Sequence, residues 1–230
     1  MVPYYYGFDS TYIILLPAIL FTLYAQNKVQ STFAKYLRVY TSKGFTGAQV
    51  ARFILDKNGL NNVGIELSRG KLSDHYDPRS KVVRLSNEVY NGSSVAAVSV
   101  AAHEVGHAIQ HAIGYAPLTF RNTLVPIANI GSSMAWIFIL LGFAVSPSFI
   151  DIGILLFLGA VLFQIVTLPV EFNASSRAIV QLRENGLIAQ SEEGASKRVL
   201  DAAALTYVAA AAAAVSQLLR LIVLRNNRRD

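Results

Sequence analysis

Two apolar runs constrain this chain more than any other feature. Leu124 to Val145 gives 22 residues without a charge, and Ile150 to Val170 gives 21 with one charge, Asp151, near its start. About 20 apolar residues in a helix match the hydrocarbon thickness of a bilayer. A chain of 230 residues has too little other sequence to cover two such helices as a soluble core. The runs therefore predict a membrane hairpin closed at Ser146-Pro147-Ser148. Composition agrees, with 53 % apolar and 15 % charged residues where a soluble domain carries about 25 % charged.

Two more stretches are apolar. Residues 3–25 carry only Asp9, and Tyr4, Tyr5 and Tyr6 suit an interfacial belt. No Lys or Arg precedes this block, so it reads as a retained span and not as a cleaved leader. Lys28, Lys35, Arg38 and Lys43 follow it, which places the N-terminus outside and the next segment in the cytoplasm. Residues 202–224, with six consecutive Ala, are long enough for a fourth span. Yet Arg220, Arg225, Arg228 and Arg229 would then lie outside, against the positive-inside rule. Either this helix lies along the membrane or the protein, or the orientation is reversed, with the polar part outside. The wider distribution favours the first orientation. Of 20 Lys and Arg, 12 lie between the first and second spans and 4 between the third span and residue 201.

The net charge of +6 is dispersed and is half explained by topology, so no nucleic-acid partner is expected. The absence of Cys leaves His and carboxylates as the only side chains for a metal.

The polar stretch from 26 to 92 reads as follows. Gln26 to Tyr40 predicts a helix leaving the membrane, with apolar Val29, Phe33, Tyr36, Leu37 and Val39. Thr46 can cap a helix that buries Val50, Phe53 and Ile54 and ends near Gly59. Val63–Leu67 and Lys81–Leu85 read as strands around a turn at Asp77-Pro78. The second strand can offer a sheet edge to an extended peptide, or the sheet only covers a helix.

Residues 103–107 read His-Glu-Val-Gly-His. On a helix the two imidazoles fall at i and i+4 on one face, the spacing of two zinc ligands, with Glu104 beside them as a general base. Ser94 can cap this helix, and Gly114 can stop it. The alternative is an Ala/Val-rich buried helix with two satisfied core histidines. With only four His in the chain, burying two of them and a Glu on one apolar helix is costly without a purpose.

A two-His zinc site needs a third protein ligand and one open position. Glu171 fits by parity: two spans separate it from His107, so the chain crosses the membrane and returns to the same face. Pro169 is expected to restart a helix there, with Glu171 in its first turn. The bland reading is an interfacial Glu at a helix N-terminus. His111 lies about 6 Å along the helix from His107, too far to close a tetrahedron. His75 is a candidate for substrate or metal contact, or a plain loop residue. Arg177 can bind a substrate carbonyl or oxyanion, or can anchor the cytoplasmic side.

Several stretches carry a resemblance beyond the five-residue motif. They are Asp74-His75-Tyr76-Asp77-Pro78-Arg79, Val82-Val83-Arg84-Leu85-Ser86, Val100 to Gln110, Leu168-Pro169-Val170-Glu171-Phe172 and Ala202 to Ala210. The chain resembles the YugP-like neutral zinc metallopeptidases, bacterial membrane proteins, over nearly its full length. That family is more distantly similar to the HtpX and CAAX-prenyl membrane peptidases. In those, two spans separate the His-Glu-x-x-His helix from a Glu-x-x-Ala-Asp helix that gives the third ligand. This chain departs at one place: Ser175 stands where those relatives have the Asp that supports a ligand His. Asn173 is the nearest amide that can substitute.

The expectation is thus a mainly α membrane protein forming one domain: a helical bundle of three or four transmembrane helices with a zincin-like, gluzincin-like catalytic part and a small β-sheet. The catalytic part covers about 26–122 and 171–201. His103, His107 and Glu171 hold one Zn2+ per chain, and Glu104 moves the proton from the attacking water to the leaving amine. The resemblance implies a zinc endopeptidase of the bacterial cytoplasmic membrane, multi-pass, with its site on the cytoplasmic face. Its partners are the lipid bilayer and polypeptide substrates, membrane-attached or misfolded. The alternative is a catalytically silent membrane scaffold with a structural metal site. A transport path has little support, since the charges within the spans lie at their edges, Asp9 and Asp151.

Overall fold

The structure is a computed structural model that describes residues 10–227. The expected tyrosine belt at residues 4–6, Asp9, Arg228 and Arg229 lie outside the described residues. A 3-10 turn, Ser10–Leu15, leads into α1 (Leu16–Leu37). Next come α2 (Gly47–Lys57), β1 (Gly64–Ser68), β2 (His75–Asp77), β3 (Val82–Ser86), the one-turn α3 (Asn87–Tyr90) and α4 (Val95–Ala112). Three long helices complete the chain: α5 (Ala116–Ala144), α6 (Ser148–Glu184) and α7 (Gln190–Asn226).

Among the described residues, four helices are long and apolar enough to cross a membrane: 11–37, α5, α6 and α7. Residues 202–224 thus belong to a fourth candidate span. In α5 only 28 % of the most apolar window is buried, and Ile130, Leu140 and Leu155 of this pair of helices are more than half exposed. Apolar surface of that extent needs lipid to cover it.

The chain divides into two compact units. The first holds Met1–Tyr24, Arg121–Ile165 and Val208–Asp230. Its helices approach closely where side chains are absent. A Cβ on Gly131 of α5 would stand 2.7 Å from the carbonyl oxygen of Leu156 in α6, the small-residue contact that packs helices in a bilayer. At one end of this unit, Arg220 of α7 is buried, donates from Nε to Thr11 Oγ1 at 3.2 Å and lies over the Tyr12 ring at 3.7 Å. Arg225 pairs with Asp151 at the start of α6. The basic end of α7, which conflicts with the positive-inside rule, is therefore partly neutralised by partners within the same unit.

The second unit holds Ala25–Phe120 and Val166–Tyr207. Its core is made by one face of α2, β3, the apolar residues of α4 from Val95 to Ile109, and Ala178, Leu182 and Val199 of α6 and α7. Thr46 and Gln49 form a reciprocal capping box at the start of α2. The buried stripe of α2 is Val50, Ala51, Ile54 and Leu55, whereas Phe53 is 44 % exposed. This corrects the expected burial of Phe53: at about 100° per residue it falls outside the stripe set by residues 50, 51, 54 and 55. The first helix ends at Leu37 and not at Tyr40 as expected, so Val39 lies beyond it and is exposed.

The sheet order is β1-β3-β2, with β1 parallel and β2 antiparallel to β3. β3 is therefore central, and both its edges are paired. It is not the free sheet edge expected from the sequence; the edges are β1 and the three-residue β2, read from sequence as part of a turn. Ser94 caps α4 by accepting from the Ala97 N–H, and Gly114 closes the helix with φ of +62°. α6 runs unbroken through Pro169. Pro169 therefore does not restart a helix, and Glu171 sits in the interior of one. Proline removes one intrahelical bond, which a long, packed helix tolerates.

Candidate metal centre

α4 displays His103 and His107 one turn apart, and α6 brings Glu171 against them. His103 Nε2 and His107 Nε2 are 3.2 Å apart, and Glu171 Oε2 is 3.3 Å from the first and 3.5 Å from the second. Among the described residues this is the group of three His or acidic side chains able to hold a metal. Tetrahedral zinc with bonds of about 2.0–2.1 Å has ligand-to-ligand edges of about 3.3–3.4 Å. The three observed separations match that triangle, so the donor set fits zinc. Glu171 is buried, while both imidazoles are partly exposed, which leaves an approach to the centre from the histidine side.

Charge supports the same reading. Burial favours neutral His107, but the carboxylates of Glu171 and Glu104 outweigh it and the His107 pKa is raised. The pocket thus attracts positive charge, which a metal dication can supply in place of a proton.

Glu104 and His103 share the wall of a cavity of about 150 Å³, otherwise lined largely by Val29, Phe33, Val100 and Tyr207. Asp74 also faces this cavity and accepts from the Ser86 N–H at 2.7 Å and from Ser86 Oγ at 3.1 Å. Its pKa is raised by burial, against these hydrogen bonds.

The outer nitrogens of the two rings have partners. His103 Nδ1 meets Ser175 Oγ at 3.2 Å, and His107 Nδ1 meets Gln110 Oε1 at 3.0 Å. Ser175 therefore supports the His103 ring from its outer nitrogen. Asn173 touches neither ring; its Oδ1 accepts from Gln110 Nε2 at 3.0 Å and from Arg177 Nε at 2.8 Å. Arg177 is thereby tied to α6. Gln110, fully buried, is the residue at the centre that motif reading passes over. Its signal in the sequence is an amide three residues after His107, on the same helical face.

The remaining histidines lie elsewhere. His75, exposed on β2, is hydrogen-bonded from Nδ1 to the Ser73 carbonyl oxygen at 2.8 Å. His111 Nδ1 pairs with the Tyr76 hydroxyl at 2.9 Å. Neither joins the triad.

The sequence profile of the family described as "putative neutral zinc metallopeptidase" matches residues 11–226. The chain is 49 % identical over 218 residues to a Bacillus subtilis (strain 168) protein named "Putative membrane protease YugP", covering 94 % of this chain and 97 % of that one. No solved structure matches the chain.

Proposed function

The chain belongs to the neutral zinc metallopeptidase family, and on that premise we propose that it is a zinc-dependent endopeptidase of the bacterial cytoplasmic membrane. His103, His107 and Glu171 are the ligands, and Glu104 is the general base. The observation that carries this reading is the triangle of Nε2, Nε2 and Oε2 atoms with edges of 3.2, 3.3 and 3.5 Å. Zinc bound there supplies a Lewis acid that polarises a carbonyl and brings the pKa of a water towards about 7.

The protein's own groups do the rest. Glu104, next in sequence to His103 and in the same cavity wall, takes the proton of the attacking water and returns it to the leaving amine. The apolar cavity beside it holds a substrate side chain and keeps bulk water from the carboxylate. Ser175 and Gln110 hold the two rings in place. The weight of Lys and Arg in residues 26–123 supports a site on the cytoplasmic face, within reach of membrane-attached or misfolded polypeptides.

Zinc content and cleavage of an unfolded casein are the test, on detergent-purified wild type, Glu104→Gln and Glu171→Ala. One zinc is expected in wild type and in Glu104→Gln, with weak retention in Glu171→Ala. Cleavage by Glu104→Gln should fall about 10²–10⁴-fold. Wild-type turnover by that variant removes the base assignment. Full zinc retention by Glu171→Ala removes the third ligand. Bound zinc without cleavage, even in wild type, points to the silent scaffold.

A further inference from the structure

We infer that Gln110 is a positioning residue that selects the tautomer of His107 and so keeps the lone pair of Nε2 turned towards the metal. This inference rests on the metal reading of the triad.

The argument starts from two groups whose hydrogen-bond polarity is fixed. The Val170 carbonyl oxygen can only accept, and it lies 2.8 Å from Gln110 Nε2. The Arg177 guanidinium can only donate, and its Nε lies 2.8 Å from Asn173 Oδ1. Arg177 thus fixes which end of the Asn173 amide is its oxygen. That oxygen in turn accepts from Gln110 Nε2 at 3.0 Å. Both hydrogens of the Gln110 amide are thereby spent, one on Val170 and one on Asn173. Turning the amide over would set oxygen against oxygen at both contacts.

Gln110 therefore presents Oε1 to His107 Nδ1, at 3.0 Å. An amide oxygen has no hydrogen to give, so the hydrogen in this bond belongs to Nδ1. A neutral imidazole carries one N–H, and with it on Nδ1 the Nε2 atom is bare. Nε2 is the atom that faces His103 Nε2 and Glu171 Oε2. In water imidazole prefers the other tautomer, with hydrogen on the nitrogen that has to bind metal. The relay from Arg177 through Asn173 and Gln110 reverses that preference. His103 has no such instruction, because its Nδ1 meets the Ser175 hydroxyl, which donates or accepts equally well. One ring is specified and the other adapts.

The test uses the full-length chain in detergent, with zinc affinity measured by chelator competition and ring hydrogens by nitrogen-15 histidine NMR of zinc-free protein above the histidine titration range. Gln110→Leu removes the acceptor and should raise the zinc Kd about 10–100-fold. In zinc-free Gln110→Leu the His107 hydrogen should move to Nε2, a shift that a packing role alone would not cause. Zinc-free wild type should hold the His107 hydrogen on Nδ1. Hydrogen on Nε2 in wild type, or an unchanged Kd in Gln110→Leu, would each overturn the inference. Should wild type bind no zinc, the metal reading fails by itself, and the NMR result still decides this inference. The same spectrum decides it if Gln110→Leu does not fold.

Discussion

Gly106 lies against Ala174: a Cβ on Gly106 would stand 2.8 Å from the Ala174 carbonyl oxygen and 3.2 Å from its Cα. This is a close approach of α4 and α6 beside the triad of His103, His107 and Glu171. Gly106 is flanked by the motif's Val105 and His107, and Ala174 lies one helical turn past Glu171. A side chain here has backbone in front of it, which cannot move aside as a flexible side chain does.

Gly106→Ala should therefore weaken the site. In an open helix the same change stabilises by about 1 kcal/mol. Here overpacking should cost about 1–3 kcal/mol and push Glu171 away from the imidazoles. The expected outcome is a lower unfolding temperature together with zinc affinity reduced at least about tenfold, as for other disturbances around a ligand. Thermal unfolding and chelator competition on the purified variant measure both. A variant that is more stable than wild type and binds zinc normally would show that α4 and α6 are not held at this distance.

The sheet gives a prediction for acid. Asp77 accepts from Ser80 Oγ at 2.7 Å, from Arg84 Nη1 at 3.0 Å and from the Arg79 N–H at 2.9 Å. Ser80 first, and then Arg84, hold its carboxyl well below the usual carboxylate range. Arg84 also reaches Glu66 on β1 at 3.1 Å, so one guanidinium on the central strand ties both edges. The folded pKa lies below the unfolded one. The ionised carboxylate therefore contributes its full stability above the unfolded value of about 4, and that contribution is lost as pH falls towards the folded value. Zinc-free wild type should melt higher than zinc-free Asp77→Asn by a constant margin from neutral pH to about pH 5, and the margin should shrink below about pH 4. A margin that persists undiminished at about pH 3 would mean that the carboxylate charge is not its source.

Much of this was legible in the sequence because it depends on local spacing. Long apolar runs marked α5 and α6, Thr46 and Ser94 marked helix starts, and the i, i+4 histidines marked one face of α4. Parity across two spans was enough to single out Glu171, and the structure does bring it to the two imidazoles. Other features were decided by partners distant in sequence. β2 has three residues and exists only because β3 pairs with it. Phe53 is apolar but faces outward, since the stripe of α2 is chosen by what α4 covers. The direction of the Gln110 amide depends on a carbonyl 60 residues away, and no pattern along the chain encodes that.

The basic end of α7 yields the last prediction. Arg220 meets Thr11 and Tyr12, and Arg225 meets Asp151. The end of α7, the start of the first helix and the start of α6 therefore lie at one end of the first unit. If α7 crosses the bilayer, Asn227 and the 145–147 turn must face the same compartment. The chain has no Cys, so one introduced thiol is a unique label. Ser146→Cys and Asn227→Cys should both react with a membrane-impermeant maleimide added to intact cells. Lys57→Cys, in the Lys- and Arg-rich stretch, should react only after the membrane is opened. Labelling of Lys57→Cys alone in intact cells would reverse the orientation and put the candidate metal centre outside. Opposite behaviour of Ser146→Cys and Asn227→Cys would mean that α7 does not span and that the Asp151 pairing does not hold in the bilayer.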